Sequence, residues 1–270
     1  MQKYSGSTKG GTHYSYLSQS GLENNLLIFI HGVGMKLDVW DQQTMYFSKS
    51  YKAISYDLLG HGHSSMIEKN IDLDDYVEQL YELILHLNIN NFSLVGHSMG
   101  SLIGVAFALK YPKMVNSIVA LNMVFNRKQE DQNIVLNRAE QVLRSNKIVN
   151  IETTLNRWFR GKTGNTEIKK IEKIRKWLTK LSPLAYGRAY KIFALSDKMF
   201  INSLSKLDMP VMYLTGDDDP NSTTQMSIDM ASITPKGISA SIKDEAHMMA
   251  YISADKINPL INNFLIKFTN

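Results

Sequence analysis

A chain of 270 residues, 44% hydrophobic and 20% charged, has the composition of a soluble globular protein, not a disordered or fibrous one, and is long enough for one large α/β domain with an insertion. No apolar run approaches the roughly 20 residues needed to cross a bilayer, and residues 1–11 are polar where a secretory signal would be apolar, so a cytoplasmic location is expected. The net charge of +5 comes without a base-reading motif, and the chain has neither cysteine nor His-Glu-x-x-His; nucleic acid, metal and other cofactors are therefore not expected, and covalent chemistry falls to an oxygen or nitrogen nucleophile.

Leu26-Leu27-Ile28-Phe29-Ile30 is a continuous apolar run ending in His31-Gly32, and reads as a buried strand followed by a turn. Residues 53–57 and 92–95 are two further short apolar runs. Between them Leu73, Val77, Leu80, Ile84 and Leu87 recur at helical spacing. After Gly96 a second helical stretch, residues 102–109, stops before Pro112, and residues 117–121 form another β-rich run. Strands separated by helices imply right-handed crossovers and a mostly parallel sheet, the α/β class.

The alternation then stops. Residues 122–205 carry helical periodicity, for instance Ile168, Ile171, Ile174 and Leu178, and no clear strand. They also hold 17 Lys and Arg against 7 Asp and Glu, a balance of +10, while the remainder stands at −5. Strand, helix, strand and helix resume at residues 211–215, 224–232, 238–242 and 257–268. The expected organisation is a core of residues 1–121 and 206–270 with a helical insertion of residues 122–205. Its basic balance fits solvated helix faces, or a field that draws in anions. Membrane binding by residues 167–180 is the lesser expectation, and a homo-oligomer is left open.

Gly96-His97-Ser98-Met99-Gly100 fits Gly-x-Ser-x-Gly between a strand and a helix, where a tight turn lifts a serine hydroxyl above the sheet and glycines relieve the clash on either side. Serine needs a base, and His247 follows the last strand run, where it can reach the same sheet edge. His97 is expected to point elsewhere, and His61 and His63 lie in an earlier loop. A carboxylate must fix the tautomer, and Gly216-Asp217-Asp218-Asp219 follows another strand run. Asp219, three residues past the glycine, is preferred; Asp217, Asp218 and Asp57 stay open, Asp57 also as a brace for residues 60–65. The oxyanion donors are expected to be the backbone N–H groups of Met99 and, from His31-Gly32-Val33-Gly34, Val33.

The ordered set His31-Gly32, residues 57–64, the Ser98 motif, residues 216–219 and Ala246-His247 resembles the α/β-hydrolase superfamily over nearly all of the chain outside the insertion. Within it the chain is similar to the branch of 3-oxoadipate enol-lactonases, carboxylesterases and haloperoxidase-like hydrolases. The resemblance implies an eight-stranded sheet with a helical cap, and Ser98, Asp219 and His247 as the triad. The implied activity is hydrolysis of a small-molecule carboxylic ester or lactone through an acyl-enzyme. A carbon–carbon bond hydrolase with the same triad, or a receptor on this fold, is the alternative. Met248 departs from the aromatic residue common in carbon–carbon hydrolases, and Ser101 from a commoner glycine. Candidate substrate contacts are Trp40, Arg157 and Trp158, with Arg157 able to take a carboxylate in a bidentate pair.

Overall fold

The computed structural model describes residues 2–19, 21–22, 25–68 and 70–269; Met1, where the polar leader reading begins, lies outside them. The strands are β1 (Gln2–Ser7), β2 (His13–Ser18), β3 (Leu26–Ile30), β4 (Lys52–Tyr56), β5 (Phe92–His97), β6 (Val115–Leu121), β7 (Val211–Gly216) and β8 (Gly237–Ile242). They form one eight-stranded sheet in the order β1-β2-β4-β3-β5-β6-β7-β8. β2 is antiparallel to both neighbours and every other pairing is parallel, so β2 alone runs against the rest.

Composition explains this order. β3, β5 and β7 lie inside the sheet and are almost wholly buried, as expected of strands covered on both faces, and this is why they read as unbroken apolar runs. β1 and β2, QKYSGS and HYSYLS, mix aromatic with small polar residues at the sheet's edge, stay partly exposed and carry no such run. Crossover helices cover the sheet: α2 (Leu73–His86) packs on α3 (Met99–Lys110), α3 on β5 and β6, and α8 (Thr224–Ile233) on β7 and β8. Asp72 and Asp75 begin α2 with a reciprocal capping box. The remaining core helices are α1 (Asp41–Phe47), α9 (Met249–Ile252) and α10 (Ala254–Thr269). Among the described residues no helix is long and apolar enough to cross a membrane.

Between β6 and β7 stand four helices: α4 (Gln129–Ser145), α5 (Ile151–Phe159), α6 (Asn165–Lys180) and α7 (Pro183–Ser196). Asn146 and Asn150, both in the left-handed region, end α4 and begin α5. α6 carries Lys169, Lys173, Lys176 and Lys180 on exposed positions, so much of the basic balance is a solvated face. The two ends of the insertion are tied. Asp197 Oδ2 accepts from the Arg127 amide at 3.0 Å and from Arg127 Nε at 2.9 Å, and Gln132 Nε2 donates to Oδ1 at 3.0 Å. Arg127 Nη2 also donates to the carbonyls of Phe193 and Ala194. Both charges are buried, so removing one strands the other. Arg127→Met should destabilise the fold by about 3–5 kcal/mol, read as a lowered urea midpoint, whereas an exposed pair would contribute about 1 kcal/mol or less.

Candidate active site

The turn from β5 into α3 is shaped by backbone contacts. A Cβ on Gly96 would lie 2.4 Å from the Gly100 carbonyl oxygen, and one on Gly100 would lie 2.2 Å from that of Ile30. Only glycine fits at either place. Ser98 between them adopts φ 55°, ψ −116°, outside the regions that side-chain-bearing residues favour. Its N–H donates to the Leu121 carbonyl at 2.8 Å. The Ser101 hydroxyl donates to the carbonyls of Gly96 and Leu121 at 2.8 and 2.9 Å and staples the turn.

Ser98 opens into a cavity of about 30 Å³ lined also by Gly32, Val33, Met35, His97, Val135, Arg157, Trp158, Tyr186 and His247. His247 follows β8, and its Nδ1 lies 2.7 Å from Asp219 Oδ2 on the loop after β7. Asn122 Nδ2 at 2.9 Å and the Ser222 hydroxyl donate to the same oxygen, and the Asn221 amide donates to Oδ1 at 2.8 Å. Burial alone would raise the Asp219 carboxyl, but the neighbouring His247 and these hydrogen bonds outweigh it and hold the group at about 2. A carboxylate only accepts, so the Nδ1 proton points to Asp219 and Nε2 is left free.

The other aspartates separate cleanly. Asp217 is spent on the Asp244 amide at 2.8 Å, and Asp218 presents its backbone to Glu245. Asp57 is buried and accepts from the amides of Leu37 at 2.7 Å and His63 at 2.9 Å, the bracing role.

The loop after β3 passes close over the serine: a Cβ on Gly32 would lie 3.1 Å from Ser98 Cβ. Gly34, at φ +81°, donates its N–H to His61 Nε2 at 3.2 Å, and this fixes the turn that carries Val33. The Val33 amide has no acceptor among the described residues, and Met99 is the first residue of α3, where helix geometry leaves the N–H without an intrahelical partner. Burial drives His61 down to about 4 and His31 well below its usual range, so both braces are neutral rings.

Two expectations are corrected. His97 does not point away: its Nε2–H donates to the His247 carbonyl at 2.8 Å, because the elbow directs the ring back beneath the base. Burial, with His247 beside it, lowers His97 to about 3. Trp40 is not a substrate contact: it is 1% exposed, 5.3 Å from the ring of Phe29 and outside the cavity lining, because its short 3-10 turn packs it onto β3. Arg157 lines the cavity, and its buried Nε has no hydrogen-bond partner among the described residues. Trp158 also lines it, with its ring 6.0 Å from that of His247 at 27°. Sequence reading missed Asn122, Ser222 and Met35, whose residue types carry no catalytic signal by themselves; the polar Asn122 directly after an apolar strand was the one available cue.

The eight-stranded sheet, the strained serine turn and the histidine–carboxylate pair define one class of protein. The sequence profile described as alpha/beta hydrolase fold matches residues 25–253, and the chain belongs to that family. It is 38% identical to (E)-2-((N-methylformamido)methylene)succinate hydrolase of Acinetobacter baylyi over 90% of this chain and 91% of that one. It is 27% identical to 3-oxoadipate enol-lactonase 2 of the same organism over 77% of each. The enol-lactonase from Burkholderia xenovorans LB400 superposes with a TM-score of 0.88 at 20% identity, over 97% of this chain and 100% of that structure.

Asp219 gives a stability prediction. Its value of about 2 lies below the ~3.9 of an unfolded aspartate, so its contribution of about 2–3 kcal/mol is fully present above pH ~4 and lost as pH falls through about 2. Urea midpoints taken from about pH 5 to pH 2 should therefore fall more steeply in the natural protein than in Asp219→Asn. Parallel curves would show that the carboxylate is not held as described.

Proposed function

We propose that the chain is a serine hydrolase that cleaves an acyl bond in a small carboxylate-bearing molecule, with Ser98 as nucleophile and His247 as general base. The observation that carries this reading is the convergence on one cavity of Ser98, at its strained turn, and the His247 ring whose Nδ1 is held by Asp219 at 2.7 Å. Ser98 Oγ attacks the acyl carbon as His247 Nε2 takes its proton, and the Val33 and Met99 amides receive the oxyanion. Collapse expels the leaving group, which takes the proton from His247. Water then repeats the sequence on the acyl-enzyme and frees the acid.

The relatives support a leaving group and a charge. (E)-2-((N-methylformamido)methylene)succinate carries an amide whose nitrogen is bonded to a carbon–carbon double bond, and an enol-lactone carries an ester whose oxygen is so bonded. In both, the departing electron pair is delocalised, which lowers the barrier to acyl transfer. Both compounds derive from dicarboxylic acids. The proposed substrate is accordingly an enol ester, enol lactone or N-acyl enamine with free carboxylate. Arg157 suits that charge, since among the described residues no Asp or Glu pairs with it. Arg138 lines a second chamber of about 60 Å³ that shares Arg157, Tyr186 and Tyr190 with the first. Two cations with no acidic partner among the described residues, one lining the cavity and one the adjoining chamber, favour an anion over a neutral ester.

Ser98→Ala should abolish labelling by a fluorophosphonate and lower turnover by several orders of magnitude; retained labelling would refute the nucleophile. Arg157→Ala should raise KM at least about tenfold for a carboxylate-bearing enol ester and leave its neutral methyl ester nearly unchanged, since one charged hydrogen bond contributes about 1.5–3 kcal/mol. Equal KM changes on both substrates would remove the anionic part and leave the hydrolase reading in place.

A further inference from the structure

The last residue turn of α5 and the loop after it, residues 158–162, reach out of the inserted helices onto the two loops that carry Asp219 and His247. The Trp158 carbonyl accepts the Met248 amide at 3.1 Å, while its ring covers the imidazole. Arg160 Nη1 donates to the Asp218 carbonyl at 3.3 Å. Lys162 Nζ donates to the Asp244 carbonyl at 3.0 Å and stands 3.1 Å from Glu245 Oε2. Each of these contacts falls within three residues of the acid or the base.

Glu245 is where they meet. Two residues before His247 and wholly buried, it accepts the Asp218 amide on its carbonyl at 2.9 Å. Its Oε1 accepts from Ser253 at 2.7 Å and from Lys256 at 2.8 Å. The acid loop is pressed against it, for a Cβ on Gly216 would lie 2.1 Å from the Glu245 carbonyl oxygen. Burial pushes the Glu245 carboxyl up, yet Lys256, Ser253 and Lys162 together keep it below its ordinary value, so the group is ionised in place. A buried charge is costly unless paired, and here one of its partners, Lys162, comes from the loop after α5.

We infer that Lys162 and Glu245 are positioning residues for the proposed reaction, their ion pair tying α5 to the acid and base loops and thereby setting the His247 ring against Ser98. The inference rests on the reading of Ser98 as nucleophile and His247 as base. Neither residue lines the cavity. Their effect passes through the imidazole, where a displacement well under the length of a hydrogen bond slows proton transfer.

The test uses the full chain, a neutral aryl ester that needs no cation, and active sites counted with a fluorophosphonate. Lys162→Met should lower kcat per titrated site about tenfold with KM held within about twofold, and Lys162→Arg should recover most of the loss, since small misplacements of a catalytic group cost that much or more. Lys162→Gln should behave like Lys162→Met and serves if the latter expresses poorly. A kcat per titrated site that is unchanged in both, a loss confined to KM, or no recovery in Lys162→Arg would overturn the inference. Failure of the natural protein to take the label would overturn the nucleophile and this inference together, whereas a labelled, fully active Lys162→Met removes only the inference.

Discussion

Ser98 is held at a positive φ between two glycines whose missing side chains are replaced by carbonyl oxygens, those of Gly100 and Ile30. The rest of the site depends on that backbone strain. The strain persists because the neighbours over-determine it: Ser101 staples the turn to Gly96 and Leu121, and the Ser98 amide is tied to Leu121 as well. α3 begins at this same point, so the partial positive charge of its first turn lies beside Ser98, where the proposed reaction would develop its oxyanion.

Around this fixed point the structure sorts its histidines by environment. His31, His61 and His97 are buried and held neutral, where a ring can both donate and accept, and each connects loops: His31 to Leu58, His61 to Gly34, His97 to the carbonyl of His247. His247 is the one that also meets a carboxylate, and Asp219 spends its oxygens on four donors that keep it ionised. Neutral rings brace the site while a single ring faces a charge. That division makes the position of His247, more than its chemical identity, the quantity that the surrounding residues control.

Much of this was legible in the chain because buried parallel strands and tight glycine turns leave strong local marks. LLIFI, the Gly96–Gly100 motif and the Gly216 loop each announce themselves within about six residues, the helix at residues 73–86 follows from spacing, and the one at 99–110 was expected at 102–109, between Gly96 and Pro112. β1 and β2 were not legible, since strands that mix small polar and aromatic residues have no apolar run to read. The cavity walls were harder still. Val135, Arg157 and Tyr186 come from three helices, and periodicity shows which face of a helix is apolar without showing which other helix it meets. Hence Arg157 was readable as a candidate and Trp40 was not separable from it, although one lines the cavity and the other fills the core. Glu245 and Lys162, 83 positions apart, carried no joint signal at all.

The cavity of about 30 Å³ beneath the inserted helices has room for one or two waters. Binding an acyl group larger than this space at Ser98 would require lining side chains of α4, α5 and α7 to part. Measured affinity then contains the free energy of that parting: the apparent dissociation constant is the intrinsic one divided by the fraction of molecules already open. Two consequences follow for anyone comparing substrates. A larger acyl group does not simply gain contacts, because it draws on a rarer population. A substitution on the inserted helices that never touches the ligand shifts affinity by the same factor for all substrates that need the same opening, leaving the ranking among those intact.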